Sequence, residues 1–238
     1  MTGSVEVLTG VGAPIGTELR PGESWREAAE RVAAAPVCPH DLAADPPRFT
    51  TADTWQVALR PATLGDLPAL VRWRQHEHVH RWWASDGAPT PERVRAQYAP
   101  EIAGETPTML WIVEVNGRSV GFLQDYRLRD YPEYAVLTPD PEAIGVDYAI
   151  GEPGWVGRGV GTCLLWRWLL SLHDRYPGAA TAFAAPDHRN TASLRVLAKV
   201  GFRSGTWFDE PQPDGSVATV VGCTLHLQRV LGGTRQPG

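Results

Sequence analysis

The sequence predicts a mixed α/β domain, a central sheet flanked by helices, preceded by an N-terminal extension. Three observations carry this expectation. From Trp55 onward, strand-like alternation and helix-like spacing take turns along the chain. Two apolar runs, TMLWIVEV and RSVGFLQDYRL, meet at Asn116-Gly117, the strongest short hairpin signal. A glycine-rich stretch around Gly157, Gly159 and Gly161 then joins a strand pattern to a long apolar helix pattern.

The elements follow in order. Residues 1–53 are rich in Gly, Ala and Pro and stand apart as an extension, partly flexible or packed on the domain. Within them, PGESWREAAERVAAA has a capping-box start at Ser24 and Glu27 and suits a short helix. The domain proper spans 54–232, and 233–238 form a tail. WQVALRPAT alternates as a strand. Leu67, Leu70, Val71 and Trp73 recur at helical spacing. TPERVRAQYAPEI is a second helix, with Thr90 as N-cap and Pro91 in the first turn. The hairpin comes next, then the strand AIGVDYAIG, the glycines, and a helix over about 158–175. AATAFAA reads as a buried strand and NTASLRVLAKVGF as a helix. SGTWFDE and VATVVGCTLHLQ close the sheet around a turn at Asp214-Gly215-Ser216.

Composition narrows the partners. Apolar residues make up 43% and charged residues 21%, as in an ordinary soluble globule. The net charge of -5 disfavours nucleic acid and favours cationic ligands. No apolar run reaches the ~20 residues of a membrane span, and no leader pattern is expected. Cys38, Cys163 and Cys223 lack metal or disulfide spacing and suit a reducing, cytoplasmic setting, with Cys163 a buried thiol. His76, His78 and His80 do not share one helix face, so no metal is expected there and they read as surface or pocket rim.

Gly157-Arg158-Gly159-Val160-Gly161-Thr162 opens a helix whose apolar face is Val160, Leu164, Trp168, Leu169 and Leu172. A helix start offers backbone N–H groups without partners, and glycines let an anion approach them. Arg158 adds a charge and Thr162 a hydroxyl. The Lys-Ser/Thr ending of a nucleotide P-loop and the third glycine of the dinucleotide fingerprint are both missing. The same glycines also suit a turn that only lets a helix pack closely.

This strand–glycine loop–helix unit, with Asn190 and then Lys199-Val200-Gly201-Phe202 about 30 residues on, resembles the GNAT acetyltransferase superfamily over about residues 55–230. The resemblance implies the GNAT fold and acetyl-CoA as cofactor. It implies that Tyr148, Ile150, Val156, Gly157, Arg158, Gly159, Val160, Gly161, Thr162, Asn190 and Lys199 bind it. Asn190 suits the pantetheine arm or a helix cap. The Trp82-Trp83 pair, the strand GFLQDY and the strand IGVDYAIG are similar to the aminoglycoside 6'-N-acetyltransferases. Siderophore acyltransferases, which modify a hydroxylated lysine, share the Trp pair and the glycine loop but carry His at the position of Asp147. The superfamily's usual Gln or Arg is Val156 here. Its usual thiolate-protonating Tyr is Leu197, so no protein general acid is assigned. The Asp that aminoglycoside enzymes carry five residues before the helix Asn is Ala185, and the nearest acid is Asp187.

Acetyl transfer to an amine requires a fixed thioester, a deprotonated amine and a donor for the oxyanion. Asp147, mid-strand where Asp is disfavoured, is the candidate base. Backbone N–H groups at Tyr148–Ile150 would polarise the carbonyl if a bulge splays them. Asp125, Asp130, Glu133, Asp140, Glu142 and Asp147, extended by Asp209, Glu210 and Asp214, form an expected acidic wall for a polycation. Substrate contacts are expected from Trp82, Trp83, Gln124, Tyr126, Asp130, Glu133 and Asp187, with one of the two tryptophans stacking on a sugar and the other filling the core.

The expected function is acetyl-CoA-dependent N-acetylation of an aminoglycoside-like cationic amine, in antibiotic resistance or modification, by a monomer or homodimer. The alternatives are a siderophore-precursor acyltransferase and a non-catalytic acetyl-CoA- or aminoglycoside-binding module.

Overall fold

The computed structural model describes residues 56–83, 87–135, 138 and 140–227. The expected N-terminal helix, Cys38 and the tail lie outside the described residues. The seven expected strands form one sheet in the order β1-β2-β3-β4-β5-β7-β6. They are β1 (Val57–Pro61), β2 (Met109–Val115), β3 (Arg118–Arg127), β4 (Ile144–Ile150), β5 (Thr181–Ala184), β6 (Arg203–Pro211) and β7 (Val217–His226). The helices are α1 (Leu67–Gln75), α2 (Glu77–His80), α3 (Pro91–Ala103), α4 (Pro132–Ala135), α5 (Val160–Arg175) and α6 (Thr191–Val200).

Local chemistry sets these boundaries. Asn116 (φ 50°) and Gly117 (φ 74°) both take the left-handed backbone that a tight hairpin needs. The Thr90 hydroxyl accepts from the Arg93 N–H at 3.3 Å, starting α3, and left-handed Gly104 stops it. Asn190 caps α6 in the same way, accepting from Ser193 N–H at 3.1 Å.

Alternation along the central strands feeds two cores. Val113, Leu123 and Val146 pack with α5 and α6 on one face. Ile112, Phe122 and Ala149 pack with α1, α2 and α3 on the other. Helix α5 is the main filler: Leu164, Leu165, Trp166, Trp168, Leu169 and Leu172 are all buried, each worth roughly 1.5–3 kcal/mol as an upper estimate.

Antiparallel pairing of β3 with β4 is regular from Gly121–Ile150 to Arg127–Ile144. The parallel pairing of β4 with β5 covers only Ile144–Ala182 and Gly145–Phe183. Beyond Gly145 the two strands part. The opening that positions the site comes from this short pairing; no bulge interrupts β4 against β3, and the bulges lie at Val113/Glu114 and Ser204/Trp207.

Candidate functional site

A cleft of about 520 Å³ passes through the gap between β4 and β5. Alternation splits its walls between the two sheet faces. Asp147 sits two residues from Ala149, on the face of α1–α3. Tyr148 packs against the core on the α5–α6 face.

On the first face, Asp147 lies directly opposite Gln124 in the β3–β4 register. The Tyr126 hydroxyl donates to Asp147 Oδ2 at 2.9 Å. Gly145 makes this contact possible: a Cβ there would stand 2.7 Å from the Tyr126 ring. The Gln124 amide donates to both oxygens of Glu101, at 2.9 Å each, from the last turn of α3. Burial pushes the Glu101 carboxyl up to about 7; the Gln124 bond opposes this and the Asp147 charge adds to it. Glu210 on β6 is also raised by burial, with its Gln212 bond opposing and Asp147 adding. Glu101, Asp147 and Glu210 thus converge on one cleft. Trp82 and Trp83 line it too. Trp83 also packs on the core, with Phe122 at 5.7 Å in front and the Arg74 guanidinium 5.6 Å over the ring.

Of the expected acidic wall, Asp147, Glu210 and Asp214 line the cleft, and the other members are placed elsewhere. Asp125 is fully buried, accepts from Trp168 Nε1 (2.8 Å) and the Tyr176 hydroxyl (2.7 Å), and is ion-paired with Arg175 Nη1 (2.6 Å). It is a core ion pair. Glu142 pairs with Arg129, Asp140 bonds the Thr181 hydroxyl, and Asp209 accepts from Thr219. Asp130 is exposed, 3.8 Å from Arg129, and outside the cleft lining. Glu133 belongs to α4, with its side chain outside the described residues. Asp187 lines the cleft, but Arg189 binds it through Nε (2.9 Å), Nη2 (2.7 Å) and backbone N–H (2.8 Å), which hold the carboxyl below its usual range. Glu101 went unnoticed in the sequence because one Glu at a helix end carries no signal of what it faces.

The glycine loop lies at the start of α5. Gly157 (φ 77°) and Gly159 (φ 79°) are left-handed, and Gly159 is the helix N-cap with no side chain to occupy the first-turn amides. A Cβ at Gly157 would meet nothing within 4 Å, so the loop's outer side is open. Gly161 is different: a Cβ there makes only ordinary contacts of 3.6–3.8 Å with Val196 and Tyr148. This open, side-chain-free helix start fits an anionic cofactor. Val156 is exposed beside it. Arg158 is 5% exposed and lies 5.5 Å over the Trp155 ring, and burial lowers its pKa. Val160 and Thr162 are buried in the helix's first turn. Asn190 lines the cleft, whereas Lys199 sits in the last turn of α6, outside the lining. The Ile150 carbonyl accepts from His78 Nε2 at 2.9 Å, which ties the end of β4 to α2. Among the described residues no group of His, Cys, Asp or Glu suits a metal, and no helix is long and apolar enough to cross a membrane.

Comparison with known proteins bears on this arrangement. Residues 63–210 match the acetyltransferase (GNAT) domain family. Aminoglycoside N(6')-acetyltransferase type 1 of Klebsiella pneumoniae is 30% identical over 176 residues, 73% of this chain and 86% of that one. Lysine N-acyltransferase MbtK of Mycolicibacterium paratuberculosis (strain ATCC BAA-968 / K-10) is 30% identical over 146 residues, 61% of this chain and 65% of that one. Among solved structures, AAC(6')-Ib in complex with ribostamycin and coenzyme A superposes with a TM-score of 0.64 at 26% identity, covering 76% of this chain and 99% of that one.

Proposed function

The chain belongs to the GNAT acetyltransferase family and is an acetyl-CoA-dependent N-acetyltransferase, and we propose that its acceptor is an aminoglycoside-like polycationic amine. The observation that carries this is the convergence of Glu101, Asp147 and Glu210 on one cleft at the parting of β4 and β5. Half-buried carboxylates cost desolvation energy, and an acceptor bearing several ammonium groups offsets it. The Klebsiella relative's name and the ribostamycin in the AAC(6')-Ib structure support the same class.

The donor, when bound, supplies an acetyl group activated as a thioester. Gly157, Gly159 and the first-turn amides of Val160 and Gly161 would hold its pyrophosphate at the α5 N-terminus. Asp147 binds the acceptor ammonium and takes its proton, directly or through water, so that the nitrogen lone pair is free to attack. The Tyr126 hydroxyl keeps the Asp147 carboxylate in place. Trp82 offers a face for a sugar ring, while Trp83, packed on Phe122 and under Arg74, backs that side of the cleft.

The 30% identical lysine N-acyltransferase supports a second reading, acylation of a lysine-derived amine. Free-thiol release from acetyl-CoA separates the two, with kanamycin and hydroxylysine as alternative acceptors. We expect turnover on kanamycin, reduced at least ~10²-fold in kcat in Asp147→Asn while acetyl-CoA affinity persists. Turnover on hydroxylysine alone would overturn the aminoglycoside reading. An undiminished Asp147→Asn would overturn the base assignment. An antibiotic-resistance role would show as a raised kanamycin tolerance in cells expressing the chain, lost with Asp147→Asn.

A further inference from the structure

Acetyl transfer leaves a negative charge on sulfur, and a proton donor near it lowers the cost of departure. Three phenols border the cleft. Tyr126 is committed to Asp147 at 2.9 Å. Tyr131 exchanges a 2.6 Å bond with the Thr108 hydroxyl. Tyr148 alone lies on the α5–α6 face of β4, the side of the glycine loop. Its ring reaches the start of α5, where a Cβ on Gly161 would be 3.8 Å away, and its hydroxyl meets Ser193 Oγ at 3.1 Å in the first turn of α6. The ring therefore spans the space that the short β4–β5 pairing leaves open. Both Tyr148 and Ser193 line the cleft. Leu197, one turn further along α6, is buried in the core and carries no proton.

We infer that Tyr148, supported by Ser193, is the general acid that protonates the departing sulfur. Asp147 and Tyr148, adjacent in sequence, then point to opposite faces of β4 because strand side chains alternate. The base serves the acceptor face and the acid serves the donor face. As the acceptor nitrogen's lone pair makes the C–N bond, the C–S bond breaks and its electron pair stays on sulfur. Tyr148 delivers its O–H proton to that sulfur. The Ser193 hydroxyl donates a hydrogen bond to the phenolate oxygen left behind. Asp147 passes to solvent the proton taken from the ammonium before attack, the nitrogen sheds its second proton to solvent by the same route as the amide forms, and Tyr148 regains one from solvent, so that one proton is released overall. Burial raises the Tyr148 phenol above its usual pKa, with the Ser193 bond opposing, so it carries its proton throughout the neutral range.

The test compares binding of CoA and of desulfo-CoA, which lacks the sulfur, to wild type, Tyr148→Phe and Ser193→Ala. It does not depend on which acceptor is used. Tyr148→Phe should weaken CoA several-fold and leave desulfo-CoA unchanged. With any accepted amine, kcat should fall roughly 10²-fold while the acceptor KM holds. Ser193→Ala should lower kcat less, because the phenol remains. Equal affinity changes for the two ligands, or none for either, would overturn the assignment. So would a Tyr148→Phe kcat within two-fold of wild type. If no tested amine turns over, the aminoglycoside reading fails, while the CoA comparison still decides the role of Tyr148.

Discussion

At Glu101, burial raises the carboxyl to about 7, and the neighbouring charge of Asp147 adds to the shift. A carboxylate whose folded-state pKa lies above its unfolded value favours folding most when protonated. The native state holds this proton through a window, about 4.5 to 7, in which the unfolded chain has lost it. This stability contribution is therefore full below about 4.5 and is lost as pH rises through 7. Glu101→Gln keeps an acceptor oxygen for Gln124 and removes the charge. Thermal melts at pH 5 and pH 8 should show the variant gaining a few degrees over wild type at pH 8 and little at pH 5. The same substitution should raise the KM for a polycationic acceptor several-fold at pH 8. Equal melting differences at both pH values would show that Glu101 is not strained by its burial. Asp125 sits even deeper, yet buried Trp168 and the half-buried Tyr176 and Arg175 satisfy it. Asp125→Ala should cost about 3–5 kcal/mol by leaving Arg175 without its carboxylate, which a denaturation midpoint would register.

Among elements, the turn into α5 separates glycines required by backbone from glycines that are not. Gly159 at φ 79° and Gly157 at φ 77° occupy the left-handed region, where a Cβ costs about 1–2 kcal/mol. Gly161 is not among the positive-φ residues, and its Cβ would make ordinary contacts. Alanine at Gly157 or Gly159 should therefore lower stability by about 1–2 kcal/mol and weaken acetyl-CoA binding. Alanine at Gly161 should leave stability within about 0.5 kcal/mol, and chemical denaturation measures the contrast. Elements of this kind were legible in the sequence. The Asn116-Gly117 hairpin, the Thr90 cap and the apolar face of α5 are local signals, and each appears where its residues stand. The site was legible only in part. Asp147, Gln124 and Tyr126 could be found because they alternate on known strands. Glu101 could not, because what it faces depends on α3 docking across the sheet, and Glu210 was picked out only as one acid among many, not for its place beside Asp147. The acidic stretch 125–147 misled for the same reason: density of charge in sequence says nothing of the buried partners waiting for Asp125 and Asp140.

For the whole molecule, the decisive feature is that one gap in the sheet gives two faces access to the same point. The glycine loop opens α5 on one face, while the carboxylate Asp147 and its neighbour Glu101 belong to the other. Donor binding should then be independent of acceptor-side charge. Ligand that binds only the folded state stabilises it by about 2.7 kcal/mol at a hundred times its Kd. For a chain of this size that is roughly 5–10 °C in Tm. CoA should raise the Tm of wild type and of Asp147→Asn by the same amount, and should raise that of Gly159→Ala by clearly less. A CoA shift that falls in Asp147→Asn as well would mean that the two faces communicate through β4, and the acid–base division across that strand would have to be abandoned.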